Sequence, residues 1–220
     1  MKSYPPLDVR VSTPTLELRG ATDELLDQLA DDVRAGKTHA DPLPYDDPMS
    51  LYEPDPDQRV AQWLRSIWRG RGRVEPDAWR LYFVVVVDGR PVGMQDLCGV
   101  KFSTFGTFTT FSWLSADHRG RGLGREMRSA ILHLGFDGLG AKEASSDAFV
   151  DNHSSNAISK ALGYEPNGSD WDTRQGEPAL INRWRLTRQD WEPHRRTDIQ
   201  LHNLEACRTF LPLSDGHRCV

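Results

Sequence analysis

Residues 115–131 read SADHRGRGLGREMRSAI, and the way this stretch is interpreted decides the architecture around it. Gly120, Gly122 and Gly124 alternate through a basic segment that passes directly into a helical pattern, with Leu123, Met127, Ala130, Ile131 and Leu134 on one stripe. The apolar run FTTFSWLSA, residues 108–116, precedes it as a strand. A strand that feeds a glycine turn opening a helix makes an anion site. The free N–H groups of the first helical turn point outward, the helix dipole favours negative charge, and glycine lets a phosphate approach the backbone. The spacing excludes two common phosphate loops. A Walker loop needs a Gly-Lys-Ser/Thr ending, and a dinucleotide fingerprint needs a third glycine where Met127 stands.

Outward from this stretch the chain alternates strands and helices without internal repeats. TLELRGA from Thr15 alternates as a half-buried strand, and Thr22 caps a following helix with Leu25, Leu26, Leu29 and Val33 at helical spacing. The proline- and aspartate-rich segment 41–57 reads as a surface loop. Gln58 to Trp68 reads as a second helix with Val60, Trp63, Leu64 and Ile67 on its core face, broken by the glycines at 70–72. LYFVVVVDGRPVGMQDLCGV reads as a hairpin turning at Asp88-Gly89, its unbroken run Leu81 to Val87 implying a strand covered on both faces. Downstream, AKEASSDAFV is a strand. DNHSSNAISKALGY is a short helix with Ala157, Ile158, Ala161 and Leu162 inward and Gly163 as its C-terminal cap. ALINRWRL is a strand with Leu180, Trp184 and Leu186 on one face. Beyond Thr187, TRQDWEPHR begins a helical turn and DIQLHNLEAC is one more edge strand.

Composition narrows the classes of function. The 220 residues suit one domain, with a core over about 13–190 and a C-terminal extension over 191–220. A net charge of −5 with interspersed signs argues against a nucleic-acid partner. No apolar run reaches the ~18 residues of a membrane span, and the start MKSYPPLDVR lacks a signal-peptide core, so the expectation is a cytoplasmic protein with no membrane partner. Cys98, Cys207 and Cys219 are odd in number and form no C-x-x-C pair, which disfavours disulfides and a zinc site; no metal is expected.

The segment Arg119-x-x-Gly122-x-Gly124 resembles the acyl-CoA pyrophosphate loop of the GNAT (N-acetyltransferase) superfamily. Asn152-x-x-Ser155-x-x-Ile158 ending in Leu162-Gly163-Tyr164 resembles a second signature, that of the ribosomal-protein (Rim-type) branch, and TPTLELRGATDE resembles that branch's opening strand and helix. The resemblance covers roughly Thr13 to Leu186. It implies an α/β (α+β) fold whose mixed, mostly antiparallel sheet, flanked by helices, splays between its fourth and fifth strands, here FTTFSWLSA and EASSDAFV. It also implies acetyl-CoA or another acyl-CoA as co-substrate. The pantetheine arm would pair with backbone around Trp113, Leu114 and Ser115, and the pyrophosphate would sit on the N–H groups of Gly120, Arg121, Gly122, Leu123 and Gly124, with Arg119 and Arg121 adding charge.

The reaction implied is direct attack of a primary amine, from a protein N-terminus or a small molecule, on the thioester. The Leu114 N–H would face the oxyanion and Ser155 the departing thiolate, although Ser154 or Ser155 can equally cap the helix. Many GNAT enzymes place a tyrosine seven residues after the asparagine, and this chain has Ser159 there. Asn152 either bonds the pantetheine or closes the turn. Asp147, Asp151, Glu143 and Asp96 are candidates for the base, Asp147 provided that its face lines the cleft; His118 is structural or solvent-facing. Trp63, Trp113 and Trp184 fill core or cleft walls, and Tyr45, Met49 and Tyr52 lie in the loop that overhangs the acceptor side in this fold. A CoA-binding sensor without turnover is the alternative, and the sequence leaves a homodimer open.

Overall fold

The structure, a computed structural model, describes residues 3–46, 49–75, 78–211 and 213. Two short antiparallel strands, β1 (Arg10–Ser12) and β2 (Glu17–Gly20), pair with Val11 opposite Leu18, both fully buried. β1 was not legible as a strand because only one of its three residues is apolar. Helix α1 (Asp23–Arg34) starts where Thr22 Oγ1 accepts the Leu25 N–H.

Helix α2 (Pro56–Gly72) is longer at both ends than its apolar stripe suggests. Pro56 occupies the first turn, where no N–H is needed, and Asp55 caps it by accepting from Asp57 and Gln58. The helix also continues through the glycines expected to end it. Gly70 is there for packing, since a Cβ at that position would collide with the Tyr82 hydroxyl.

β3 (Ala78–Val87) and β4 (Arg90–Val100) form the expected hairpin, with Asp88 and Gly89 both at positive φ (48° and 76°). Alternation along β3 divides the interior. Leu81, Phe83 and Val85 pack against the α4 side, whereas Tyr82, Val84 and Val86 pack against α1 and α2. A short helix α3 (Phe102–Phe105) leads into β5 (Thr107–Leu114). Helix α4 (Leu123–His133) follows, extended by a π-type turn to Gly138, and then β6 (Glu143–Phe149) and α5 (His153–Ala161). The nine-stranded sheet is completed by β7 (Glu165–Arg174), β8 (Glu177–Thr187) and, after the turn α6 (Arg188–Trp191), by β9 (Gln200–His202). Its order is β7-β8-β6-β5-β4-β3-β2-β1-β9, and among the described residues only β5 and β6 run parallel. Because β1 adds a strand, the expected fourth and fifth strands are β5 and β6.

Three further differences have physical causes. β7 went unread because its residues EPNGSDWDTR are exposed almost throughout and carry no hydrophobic alternation; it is held by pairing with β8 through a turn at Gln175 and Gly176, both at positive φ. On α5 the inward residues are Asn156, Ser159 and Leu162, with Ile158 half-buried and Ala157 and Ala161 exposed. Asn156 is satisfied there: its Nδ2 donates to the Phe149 and Asn152 carbonyls, and its Oδ1 accepts from Asn182 and Trp184. Leu180, expected inward with Trp184 and Leu186, lies toward the turn of the hairpin and is 40% exposed.

The tail belongs to the core. β9 pairs with β1 as the edge strand, but only over three residues, and the NLEAC segment is helical in α7 (Leu204–Phe210). Trp191, Ile199, Cys207, Leu211 and Leu213 are buried in the same cluster as β3 and α4. Cys98 and Cys207 are free thiols, and Cys219 lies outside the described residues. No helix among the described residues is long and apolar enough to cross a membrane.

Candidate functional site

β5 and β6 pair only from Thr107–Glu143 to Thr109–Ser145 and then diverge. A cleft of about 480 Å³ opens between them, walled by β5, β6, the glycine loop, the start of α5 and the α1–α2 loop. Strands that stop pairing leave main-chain groups facing an opening, so a peptide-like ligand can add there as a strand does.

The glycine loop closes the open end. Gly120 and Gly122 have φ of +73° and +80°, a conformation that L side chains rarely adopt, and Gly122 caps α4 without any side-chain hydrogen bond. A Cβ at either position would meet nothing within 4 Å. Gly124 differs: its φ is ordinary, and a Cβ there would press on Ile158 Cδ1 at 3.2 Å, so its bareness serves the packing of α4 on α5. All three glycines line the cleft, whereas Arg121 and Leu123 border a separate depression together with the half-buried His118.

Arg119 is committed to the protein. Its Nε donates to the Leu114 carbonyl at 2.9 Å, and its two terminal nitrogens donate to the carbonyls of Lys37, Thr38 and His39 at 2.7–3.0 Å. The guanidinium thus clasps the end of α1 to the glycine loop. Arg119→Met is expected to cost about 2 kcal/mol of stability, read from urea denaturation, because four carbonyls lose a charged donor. Unchanged stability with weakened CoA affinity would return Arg119 to phosphate binding.

Of the expected backbone partners, Trp113 and Leu114 line the cleft. Ser115 is not on its wall and its N–H is bonded to the Val92 carbonyl at 2.9 Å, because β5 continues pairing with the β4 side to that point. Asn152 is the cap of α5: its Oδ1 accepts from the Ser155 N–H and the Ser154 hydroxyl, each at 3.1 Å, while its Nδ2 donates to the Pro44 carbonyl at 3.0 Å. Neither serine caps the helix with its own oxygen. The Ser155 hydroxyl lines the cleft and makes no hydrogen bond among the described residues. Ser159 is fully buried outside the cleft lining.

The carboxylates separate by position. Asp147 lines the cleft; partial burial raises its pKa, Arg183 at 4.0 Å opposes the rise, and Asp172 and Asp170 add to it. Glu143 is held by Arg185 at 2.6 Å. Asp151 is held by both terminal nitrogens of Arg174, whose hydrogen bonds lower its pKa. Asp96 is wholly buried beneath the sheet against Arg80 at 2.6 Å, its pKa pushed up to about 6 by burial with the guanidinium pulling the other way. Neither Glu143, Asp151 nor Asp96 reaches the cleft wall.

The α1–α2 loop overhangs the opening. Tyr45 lines it, stacked on Tyr52 with ring centroids 5.2 Å apart and edge-on to Phe111 at 5.0 Å. Met49, expected at this surface, is instead buried below it, its sulfur 3.7 Å from Arg80. Trp63, Trp113 and Trp184 are all buried. Sequence reading passed over Thr110, Arg128 and Ser146, which line the cleft. Arg128 had a signal, since it shares a helical stripe with Gly124 and Ile131, where an arginine interrupts an inward face.

The sequence pattern of the acetyltransferase (GNAT) domain family matches residues 15–165. Among solved structures, Mycobacterium smegmatis RimJ in complex with CoA-disulfide superposes with a TM-score of 0.72 at 18% identity, covering 86% of this chain and 93% of its own. RimL, a ribosomal L7/L12 alpha-N-protein acetyltransferase in complex with coenzyme A, gives 0.62 at 16% identity over 80% and 95%. The microcin C7 self-immunity acetyltransferase MccE in complex with acetyl-CoA and AMP gives 0.60 at 15% identity over 79% and 93%.

Proposed function

The chain belongs to the GNAT acetyltransferase family, and from that premise we propose that it moves an acyl group from an acyl-CoA, acetyl-CoA being the first to test, onto a primary amine of a protein N-terminus or a small molecule. The observation that carries this reading is the cleft itself, with a bare glycine loop at its open end and a free Ser155 hydroxyl on its wall. Likeness in fold to RimJ and RimL supports a Rim-type acceptor, an α-amine.

In this reading the pantetheine arm lies along β5, its pyrophosphate on the glycine loop. The neutral amine attacks the thioester carbon, forming the C–N bond and a tetrahedral oxyanion that the Leu114 N–H faces. Collapse breaks the C–S bond, Ser155 supplies a proton to the thiolate, and the amine gives up its proton to Asp147 or to water. The products are an amide and CoA thiol, and the proton on Ser155 is restored from solvent.

Base demand selects the acceptor. An α-amine with a pKa of about 7.7–8.0 is partly neutral at physiological pH, whereas a lysine amine near about 10.4 is not. The raised pKa of Asp147 improves it as a base, but its carboxylate is more than half exposed and paired with Arg183. Peptides with a free N-terminus are therefore expected to be acylated faster than otherwise identical peptides offering only lysine, with the gap narrowing as pH rises from 7 toward 10. Thiol release measured side by side across that range checks it. A lysine preference at neutral pH would reveal a stronger base than Asp147, and CoA binding without release toward any amine would favour a sensor.

A further inference from the structure

Arg128 is the misfit of α4. It is only 6% exposed, yet among the described residues its Nη1 donates only to Ser146 Oγ, at 3.2 Å, and its buried Nε has no partner. No carboxylate pairs with it among the described residues. A guanidinium stays charged in any protein, and burying it without a counter-charge is costly unless something arrives to answer it. The side chain lines the cleft, so what answers it can enter from there.

Position decides which part of a ligand that is. Ser146 is the first β6 residue beyond the last β5–β6 pair, so the charge sits at the closed end of the splay. Arg128 stands one turn beyond Gly124 and six residues into α4 from Gly122, about 9 Å along the helix axis, with its guanidinium turned to Ser146. A pyrophosphate on the N–H groups of the loop meets the head of α4, whereas the Arg128 charge is placed against β6 where the splay begins. Asp147, the neighbouring carboxylate on the cleft wall, is turned toward Arg183 at 4.0 Å and is more than half exposed, so its charge is met from the outer side. Tyr164 lies behind Arg128, its pKa raised by burial against the pull of the guanidinium.

Given that the cleft holds an acyl-CoA, we propose that Arg128 and Ser146 form a carboxylate subsite at its closed end, and that the preferred donor is the CoA thioester of a dicarboxylic acid, of the succinyl type. A guanidinium matches a carboxylate with two parallel hydrogen bonds, and the Ser146 hydroxyl, which accepts from Arg128, retains its own proton to donate. An acetyl group leaves Arg128 unanswered.

Calorimetric titration of the full-length protein with CoA, acetyl-CoA and succinyl-CoA tests this. The wild type is expected to bind succinyl-CoA at least tenfold more tightly than acetyl-CoA. Arg128→Gln should erase the difference with acetyl-CoA affinity nearly unchanged, and Arg128→Lys, which keeps the charge but not the fork, should retain part of it. Equal affinities in the wild type overturn the subsite, and that comparison needs no variant to fold. A preference that survives in Arg128→Gln overturns it too, as does an equal loss for all three ligands. Slower turnover of both thioesters with unchanged binding would assign Arg128 to the leaving thiolate instead, again against the subsite. If CoA itself fails to bind, it is the acyl-CoA reading of the cleft that falls.

Discussion

Replacing Gly122 with valine is expected to weaken CoA binding about ten- to a hundredfold, since holding a β-branched residue at φ +80° costs about 1–3 kcal/mol. The protein itself offers no clash, because a Cβ at Gly122 meets nothing within 4 Å and the residue is exposed. The exposed, unclashed loop is free to relax out of the left-handed conformation in the unliganded valine variant, so the penalty falls on binding, which needs the N–H groups turned toward phosphate, and the melting temperature should move little. Gly122→Asn sharpens the test, because asparagine tolerates that conformation. Calorimetric titration with CoA should rank the affinities glycine, asparagine, valine. Wild-type affinity in the valine variant would remove the glycine loop from the site.

Ser155→Ala is expected to lower kcat more than tenfold while acetyl-CoA affinity and stability stay near wild type, the loss being that of a proton donor to the thiolate. The structure makes this substitution clean. The cap of α5 is the Asn152 carboxamide, which accepts the Ser155 main-chain N–H, so removing the hydroxyl leaves that bond in place. Single-turnover rates with a peptide α-amine, together with a thermal melt and a titration, separate the outcomes. A variant that melts early but turns over normally per bound site would make Ser155 structural.

Much of this was written locally. The Asp88-Gly89 turn, the both-faces-covered run of β3, the Thr22 cap and the strand–glycine–helix order around residues 115–131 each follow from neighbouring residues, through backbone conformation or short-range periodicity. β7 was hidden for the converse reason: a strand of polar, exposed residues has no pattern of its own and exists because β8 offers it an edge. The helical continuation through Gly70 was likewise invisible, since it depends on Tyr82 from the next strand.

What the sequence by itself determined was therefore the order of the main elements from β2 to α5, the bare loop at the head of α4, and the family to which that loop points. What only the tertiary structure decided was the employment of the side chains. Arg119, read as a phosphate ligand, is taken up by carbonyls from as far as residue 37, and Asn152 ties α5 to Pro44 across 108 positions. Among four carboxylates, arginines on β4's partner strand β3, on β7 and on β8 hold Asp96, Asp151 and Glu143 away, and leave Asp147 on the cleft wall. Arg128 stands in that wall with no acid among the described residues to meet it. A residue's type is local, but whether its hydrogen bonds and charge are already spent depends on partners that only folding brings within about 3 Å.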